Sequence, residues 1–477
     1  MFSTVYFAVV STLSSSDVAQ TLASKMLSGQ WQDAVHAAAR RADPELASAK
    51  PAYDDIQLYG DIQLVLGRHE EAEETFRKAQ KAIRGSRDAI RVTSCRNTGW
   101  QAMFQHNFNV ALSCFKRVLD DQDASLEQRL DSLVGITLVL HQLGCIESVC
   151  ARLAELAALV GEARDERWTQ LMLVLRRDLL TQYHLHCSER LADHVYWRSV
   201  VLDFLPRELG DIDAPAPACP DLPVLGERLA YLDNLRALAG GKTNVVEGID
   251  QYVRWSAQLG LAEYRRTLCL EVALASIAAQ APAIGESMLK QCDSTMVQAD
   301  QHARWYVDYI YCLAKVRQLQ GRIQEFSQLY GRYAFASIRH VRADSALMPL
   351  TAAPVARASQ PRSDDVSARL PGKYRRAYRY MMENLDQRDL SVREIASHIG
   401  VTERAIQAVF KNHLGLSPSQ LIRRQRMERI HANLADDDAH VTSVLDVANR
   451  WGVQHRSTLI NSYRKLYNEA PSETLAR

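Results

Sequence analysis

The chain contains 477 residues, which is too many for one domain and predicts two to four. No stretch approaches the ~18 consecutive apolar residues that a membrane-spanning helix needs, so we expect no membrane partner. The formal net charge of +1 is unevenly distributed: residues 373–477 carry 17 basic against 12 acidic side chains, a net +5, and the preceding residues carry a net −4. A basic C-terminal module is what contact with phosphates requires.

Cysteine usage and the N-terminus indicate the cellular compartment. Nine cysteines are scattered between Cys95 and Cys312 without a Cys-x-x-Cys pair, a pattern typical of reduced thiols in a cytosol. Residues 1–13 are apolar, but no Lys or Arg precedes Lys25 and no small-residue cleavage pattern follows a basic start. We therefore expect a cytoplasmic protein that is not exported.

The N-terminal part of the chain contains a repeat. In residues 66–79, Gly67 separates two predicted helices, Ala72 follows where the helices cross, and Phe76 comes four positions later. Equivalent positions at 29, 67, 106 and 144 are spaced by 38, 39 and 38 residues. This pattern resembles the tetratricopeptide helical hairpin, with longer helices or loops than the usual ~34-residue repeat. It predicts a stack of hairpins, because one hairpin cannot bury its apolar face alone.

The repeat becomes less regular after residue 151, although the pattern stays helical. Four prolines between Ala214 and Pro223 cannot continue a helix, so this segment predicts a long loop or a subdomain boundary. Hairpins resume after it, and Gly321 marks one more turn. We expect a tetratricopeptide-like helical-repeat solenoid over residues 1–342. Residues 343–372, rich in Ala, Pro, Ser and Arg, predict a linker.

The C-terminal part contains a different duplication. Residues 391–396 match residues 443–448 at an offset of 52, and a glycine, Gly400 or Gly452, follows each copy. Each copy predicts a helix, a tight turn in which the glycine takes a positive φ, and a second helix. The buried face of the second helices is predicted to contain Val401, Ile406, Val409 and Phe410 in the first copy, and Val453, Leu459 and Tyr463 in the second.

The starts of the first helices carry capping signals. Ser391 with Glu394 predicts a capping box, in which the serine hydroxyl and the glutamate carboxylate each accept from a backbone N–H. Ser443 with Asp446 predicts a shorter version of the same cap. A small residue, Ala396 or Ala448, stands where the second helix crosses closely.

These two units resemble the double helix-turn-helix of the AraC/XylS transcription regulators. The resemblance covers residues 373–477, and the sequence departs from the family where phenylalanine is usual, at Val453 and Leu459, and where glycine is usual, at Asn468. All three changes preserve size class or tolerance of a left-handed backbone. The resemblance implies sequence-specific binding of double-stranded DNA. The expected fold class is therefore all-α, a helical-repeat solenoid followed by a double helix-turn-helix domain.

The second helix of each unit is the expected DNA-reading element. Positions that approach bases in the family correspond to Arg404, Gln407 and Ala408 in the first unit, and Lys411 shares their face. In the second unit they correspond to Arg456, Ser457 and Asn461, whereas Arg464 is better placed for phosphate. The alternative for each residue is a polar side chain in solvent without a role in DNA binding.

No catalytic or cofactor site is expected. The chain has no nucleophile elbow, P-loop or dinucleotide glycine pattern, which argues against an enzyme. A cluster of possible metal ligands, His184, His186, Cys187 and His194, is better explained as histidines near helix ends. We therefore expect no metal and no cofactor.

A narrower resemblance concerns the function. An AraC-type DNA-reading module behind a tetratricopeptide-like domain is similar to the HrpB/HrpX activators of type III secretion and hypersensitive-response genes in plant-pathogenic bacteria. It implies a transcriptional activator of virulence genes that contacts RNA polymerase. Two reading helices that carry different residues predict an asymmetric site for one monomer, and two monomers in the same orientation would bind direct repeats at the promoter. The helical-repeat domain would bind a regulatory protein or ligand, or form a homodimer. The alternative is a helical-repeat adaptor that the C-terminal module only tethers to DNA.

Overall fold

The computed structural model describes residues 2–15, 20–43, 52–83, 87–163, 165–201, 209–292, 304–345, 370–434, 443–467 and 469–475. Every regular element in these ranges is a helix, which confirms the all-α fold class. Among these helices, none combines the length and the hydrophobicity that crossing a membrane requires.

The chain divides into two compact units. Unit 1 comprises Met1–Ala82 with Gly99–Ala353, and unit 2 comprises Ile83–Thr98 with Pro354–Arg477. Most of the predicted linker at 343–372 lies outside the described residues, so the domain boundaries stay a prediction.

Unit 1 consists of helices joined mostly by short turns. They are α1 (Ser3–Leu13), α2 (Gln20–Leu27), α3 (Trp31–Ala42), α4 (Tyr53–Val65), α5 (His69–Ala82), α6 (Arg87–Phe104, whose residues up to Thr98 belong to unit 2), α7 (Phe108–Leu119), α8 (Leu126–Gln142), α9 (Ile146–Val160), α10 (Arg167–His186), α11 (Val195–Val201), α12 (Pro223–Ala239), α13 (Val246–Gln258), α14 (Ala262–Ala278), α15 (Pro282–Lys290), α16 (Trp305–Leu319) and α17 (Ile323–Ser345). Short 3-10 turns lie at Glu189–Leu191 and Thr243–Val245.

The turns between these helices repeat one backbone geometry. All four predicted marker positions, Gly29, Gly67, His106 and Gly144, have φ between +57° and +76°. At each turn the following N–H bonds back to the carbonyl five residues earlier, as from Arg68 to Gln63, which closes the preceding helix. The predicted hairpins are confirmed, whereas the tetratricopeptide assignment stays a prediction.

The same turn continues where the sequence repeat becomes less regular. Left-handed residues also lie at Gly241, Gly260, Gln280 and Gly321. Gly321 separates α16 from α17, as predicted from the sequence. The helical-hairpin pattern therefore continues as far as α17. This last helix extends to Ser345, past the predicted start of the linker at residue 343.

Small residues allow the helices of each hairpin to pack closely. Ala72 is fully buried, and Phe76 packs against Gly60, where an added Cβ would lie 2.7 Å from the phenyl ring. Phe115 fits in the same way between Gly99 and Gly135. The alanine and the aromatic residue of the sequence pattern are thus core residues at a helix crossing.

Helix α1 is buried along its whole length in the core of unit 1. Its Tyr6 hydroxyl donates to the Asp178 carboxylate on α10 at 3.0 Å. The apolar N-terminal stretch is therefore part of the hydrophobic core of this unit.

A fully buried arginine ties several helices of unit 1 together. Arg228 on α12 donates from Nε to Asp178 at 2.9 Å and from Nη2 to Glu271 on α14 at 2.8 Å. The amide of Gln182 also donates to both carboxylates. Losing one partner of such a set leaves a buried charge uncompensated, which is far more costly than losing a surface ion pair.

The proline-rich segment before α12 is a loop, as predicted. Residues 210–222 consist of turns and irregular backbone, and α12 begins at Pro223. Proline is favourable there, because the N–H groups in the first turn of a helix have no hydrogen-bond partner within the helix, so no such bond is lost when proline lacks one.

Two of the three histidines considered as metal ligands have other partners. His186 is buried and stacks on Trp197 with ring centroids 4.6 Å apart, and His194 Nε2 lies 3.0 Å from the Asp308 carboxylate. His184 is exposed. Among the described residues, no three His, Cys, Asp or Glu side chains form a group that could hold a metal ion.

The C-terminal part of unit 2 contains seven described helices. They are α18 (Gly372–Glu383), α19 (Val392–His398), α20 (Glu403–Leu414), α21 (Pro418–Leu434), α22 (Val444–Arg450), α23 (Arg456–Tyr467) and α24 (Pro471–Leu475). Two separate hydrophobic cores form, one around Ile395, Ile406 and Phe410 and the other around Met427, Leu459 and Tyr463. Each predicted helix-turn-helix therefore has its own core.

Candidate nucleic-acid interface

Helices α19 and α20 form the first helix-turn-helix unit. The Ser391 hydroxyl caps α19 by accepting from the Glu394 N–H at 3.1 Å. The predicted capping box is wrong in its second half, because the Glu394 carboxylate accepts from the Tyr380 hydroxyl at 2.8 Å. Glu394 thereby ties α19 to α18.

The second unit, α22 and α23, begins with a shorter cap. The Ser443 hydroxyl accepts from the Leu445 N–H at 3.2 Å. The cap predicted with Asp446 is therefore displaced by one residue. Asn468, the position where the family usually has glycine, lies outside the described residues.

Both units use the left-handed turn predicted at their glycines. Gly400 has φ +63° and Gly452 has φ +72°. The next N–H bonds back to the carbonyl of the small residue in the first helix, Ala396 at 3.0 Å or Ala448 at 2.9 Å. A residue with a Cβ is disfavoured at such φ values, which accounts for glycine in both turns.

Helix α20 presents the first set of predicted DNA-reading residues. Thr402 caps it by accepting from the Ala405 N–H at 3.2 Å, and Ile406, Phe410 and Leu414 are buried beneath it. The side chains on its opposite face are exposed, and they are Arg404, Gln407, Ala408 and Lys411. Helix α20 begins at Glu403, and the face on which the sequence predicted the DNA-reading residues is exposed.

Helix α23 presents the second set. Leu459 and Tyr463 are buried together with Val453. The predicted reading residues are exposed, and they are Arg456, Ser457, Asn461 and Arg464. Contact of these side chains with bases or phosphates stays a prediction.

The candidate cations are available for an anionic ligand. In the described part of the chain, none of Arg404, Lys411, Arg456 and Arg464 is paired with a carboxylate. Exposed, unpaired basic side chains neutralise phosphates without first breaking an internal ion pair.

Helix α21, which links the two units, carries arginines with different surroundings. Arg423 is exposed, whereas Arg424 pairs with Glu428 at 2.8 Å. Arg429 lies over the Trp451 ring, 5.5 Å from its centroid. Arg426 is half-buried and donates to three backbone carbonyls. Desolvation lowers the pKa of its guanidinium.

Trp451 was not identified from the sequence, although it packs against the cores of both units. Its indole N–H donates to the Asn433 side chain on α21 at 2.6 Å. Sequence periodicity gives no signal for such a residue, because Trp451 lies in the turn between α22 and α23 rather than on a periodic helix face.

A chain of hydrogen bonds closes the end of the second unit. The ring nitrogen Nδ1 of His431 lies 2.7 Å from the buried Tyr463 hydroxyl, which donates to Thr474 on α24 at 2.8 Å. The Thr474 hydroxyl donates in turn to Glu469 at 2.7 Å. The described C-terminal residues thus hold α23 from behind its exposed face.

Comparison with known proteins supports this description. A family model described as a helix-turn-helix domain matches residues 395–477. The chain is 35% identical to "Regulatory protein HrpB" of Ralstonia nicotianae over 483 aligned residues, covering 100% of both chains. It is also similar to two proteins over shorter stretches.

The first is "XylDLEGF operon transcriptional activator 1" of Pseudomonas putida, 33% identical over 104 residues, 22% of this chain and 31% of that protein. The second is "Probable thc operon regulatory protein" of Rhodococcus erythropolis, 33% identical over 106 residues, 22% of this chain and 32% of that protein. No solved structure matches the chain.

Proposed function

This chain belongs to the AraC/XylS family of transcription regulators, and from that premise we propose that it activates type III secretion and virulence genes. The observation that carries the proposal is the full-length similarity to the HrpB regulatory protein, which includes the helical-repeat part of the chain. The regulator acts by binding DNA and not as an enzyme. The proposed location is the cytoplasm, where bacterial promoters are found.

Sequence reading is assigned to the exposed faces of α20 and α23. Arg404 can donate two hydrogen bonds to guanine, Gln407 can pair with adenine, and the Ala408 methyl suits the methyl group of thymine. Arg456, Ser457 and Asn461 are assigned to base contacts in the second helix-turn-helix unit. Lys411 and Arg464 are assigned to phosphates, which position the protein without specifying sequence.

The proposed DNA site is an asymmetric one. The two reading helices carry different side chains, so one monomer should read two different elements about one helical turn, ~10 bp, apart. Two monomers in the same orientation would then bind direct repeats ~20 bp apart. RNA polymerase is the proposed partner of the bound activator.

The experiment is a mobility-shift assay with the full chain on promoter fragments of type III secretion genes. Specific binding that survives excess non-specific DNA, together with activation of a reporter, supports the proposal. The alternative is a helical-repeat adaptor that is only tethered to DNA. Binding without sequence preference would favour this alternative.

We propose that unit 1 receives the inducing signal from a small ligand, with a regulatory protein or homodimerisation as the alternatives. A cavity of about 390 Å³ lies between α10 and α12, and it is lined mainly by apolar side chains with His184, Ser188 and Arg236 at its polar part. This size is within the range of small-molecule sites.

Filling this cavity with Ala239→Trp should abolish induction of a reporter and leave DNA binding in vitro intact. Unchanged induction would favour a protein signal.

A further inference from the structure

The spacing between the two DNA-reading helices depends on how the two helix-turn-helix units are joined. Their hydrophobic cores are separate, so a continuous core does not hold α20 and α23 in one arrangement. Besides helix α21, the joint contains Trp451, which packs on both cores, and the side chain of Arg426.

We propose that Arg426 is a positioning residue that sets the spacing between the two reading helices, by locking the second helix-turn-helix unit to the first, rather than a DNA contact. This inference rests on the proposed function, since it assumes that both units read DNA. It assigns a role in site selection to a side chain that lies outside both reading faces.

The hydrogen bonds of Arg426 span the joint. From α21, its Nε donates to the Leu385 carbonyl at 2.9 Å, and Nη2 donates to the Gln387 carbonyl. Both acceptors lie in the loop between α18 and α19, which leads into the first helix-turn-helix unit, and Leu385 is buried in the core of that unit. Its Nη1 donates at 3.2 Å to the Gly452 carbonyl, which lies in the turn of the second helix-turn-helix unit. The planar guanidinium holds its donors in a rigid fork, so these bonds fix both units relative to α21.

The second turn is built around this guanidinium. A Cβ added at Gly452 would lie 2.9 Å from the nearest Arg426 nitrogen. The equivalent Gly400 in the first unit has no neighbouring atom within 4 Å of such a Cβ. Both glycines need the left-handed backbone, but only Gly452 must also leave room for an arginine.

Neighbouring contacts tighten the same joint. Trp451, next to Gly452, donates from its indole to Asn433 at 2.6 Å, and Arg429 covers its ring. The turn between α22 and α23 is therefore connected to α21 at two of its residues, Trp451 and Gly452. A guanidinium whose hydrogen bonds go to carbonyls on both sides of the joint is poorly placed to neutralise a phosphate.

The test is selection of bound sequences from a random DNA duplex library, using the full chain. We expect the wild-type protein to enrich two elements at one spacing. Arg426→Met and Arg426→Lys should enrich the same two elements over several spacings, because neither side chain can bridge the carbonyls. Arg423→Met is the matched control: it removes an exposed arginine from the same helix and should retain the single spacing.

Several outcomes separate the possibilities. A single wild-type spacing in both Arg426 variants would overturn the proposal. Full rescue by Arg426→Lys, with loss of affinity at every spacing in Arg426→Met, would identify a phosphate contact and also overturn it. Changed base preference within one element would point to base contact instead.

The folding of the Arg426 variants and the proposed DNA-reading function each have a control. If Arg426→Met melts unit 2 in circular dichroism, the more conservative Arg426→Lys decides, and a single spacing from the folded lysine variant rejects the proposal. Failure of the wild-type chain to enrich any sequence would instead reject the proposed DNA-reading function. The two failures are therefore distinguishable.

Discussion

Single residues on α23 allow the roles of base and phosphate contacts to be separated. Arg456 and Asn461 are both exposed on this helix and correspond to base-reading positions of the family, whereas Arg464 lies further along it. A base contact affects specific binding mainly, and a phosphate contact affects all DNA alike.

We predict that Arg456→Ala and Asn461→Ala each weaken binding to the specific site by ~1 to 3 kcal/mol and affect random DNA less. Arg464→Ala is the matched comparison, and it should weaken both by similar factors. Titrations on specific and random duplexes at one salt concentration measure these ratios. Equal losses on both duplexes for Arg456→Ala would assign that residue to phosphate.

Buried histidines in unit 1 make its stability depend on pH. His141 is buried between Tyr183 and Trp197, and desolvation lowers its pKa from 6.5 to about 4. Burial also lowers the pKa of His186 well below its ordinary value. Below pH 6.5 the unfolded chain therefore binds protons that the folded chain does not, and stability falls.

Because His141 stays neutral in the folded chain, stability is expected to fall by about 3 kcal/mol in total as the pH drops from above 6.5 to about 4 and below. Urea unfolding at pH 7 and pH 5 measures the part of this loss that falls between these two pH values, about 2 kcal/mol. His141→Phe, which keeps a ring of similar size, should reduce the difference between the two pH values. A variant with the wild-type pH dependence would show that His141 does not contribute.

At the scale of elements, the close helix crossings determine how the hairpins stack. Ala72 on α5 is completely buried, and the adjacent Phe76 fills the space above Gly60. Protein interiors are packed too densely to accept a large side chain there without displacement of the neighbouring helix.

We predict that Ala72→Trp destabilises the protein by ~1 to 3 kcal/mol through overpacking. Glu73→Trp is the matched control, since the Glu73 side chain is 63% exposed on the same helix. Thermal unfolding followed by circular dichroism compares the two. An Ala72→Trp protein that melts like the control would contradict the assigned helix crossing.

At the scale of the whole molecule, the two reading units determine the form of the promoter site. In the proposed arrangement, one monomer reads two different elements along one face of the duplex, and two monomers in one orientation require direct repeats. A flexible or head-to-head dimer would place no such constraint on the helical phase of the repeats.

Inserting ~5 bp between the repeats should therefore abolish activation, because it moves one monomer to the opposite face of the DNA. Adding a full turn of ~10 bp should reduce activation less. A reporter with these spacers, next to footprinting of both repeats, provides the measurement. Palindromic footprints, or expression that is indifferent to a half-turn insertion, would rule out this arrangement.

Features that depend on short stretches of chain were predictable from the sequence alone. The marker turns at Gly67 and Gly144, the turn glycines Gly400 and Gly452, and the serine cap at Ser391 were all predictable. Each is formed by hydrogen bonds within one helical turn, so the required residues are close together in the chain. The exposed faces of α20 and α23 follow from helical periodicity for the same reason.

The side chains that join one element to another could be identified only once the helices were seen packed together. Arg426 donates to carbonyls 41, 39 and 26 residues away, and Arg228 bonds to acids 50 and 43 residues away. Backbone carbonyls are present at every position, so no residue type marks the three that Arg426 reaches. The same holds for Glu394. The sequence predicted that its carboxylate accepts from a backbone N–H at the start of its own helix, whereas the packing of α18 places it against the Tyr380 hydroxyl. Side-chain partners across a joint depend on how the helices pack, and local sequence does not contain that information.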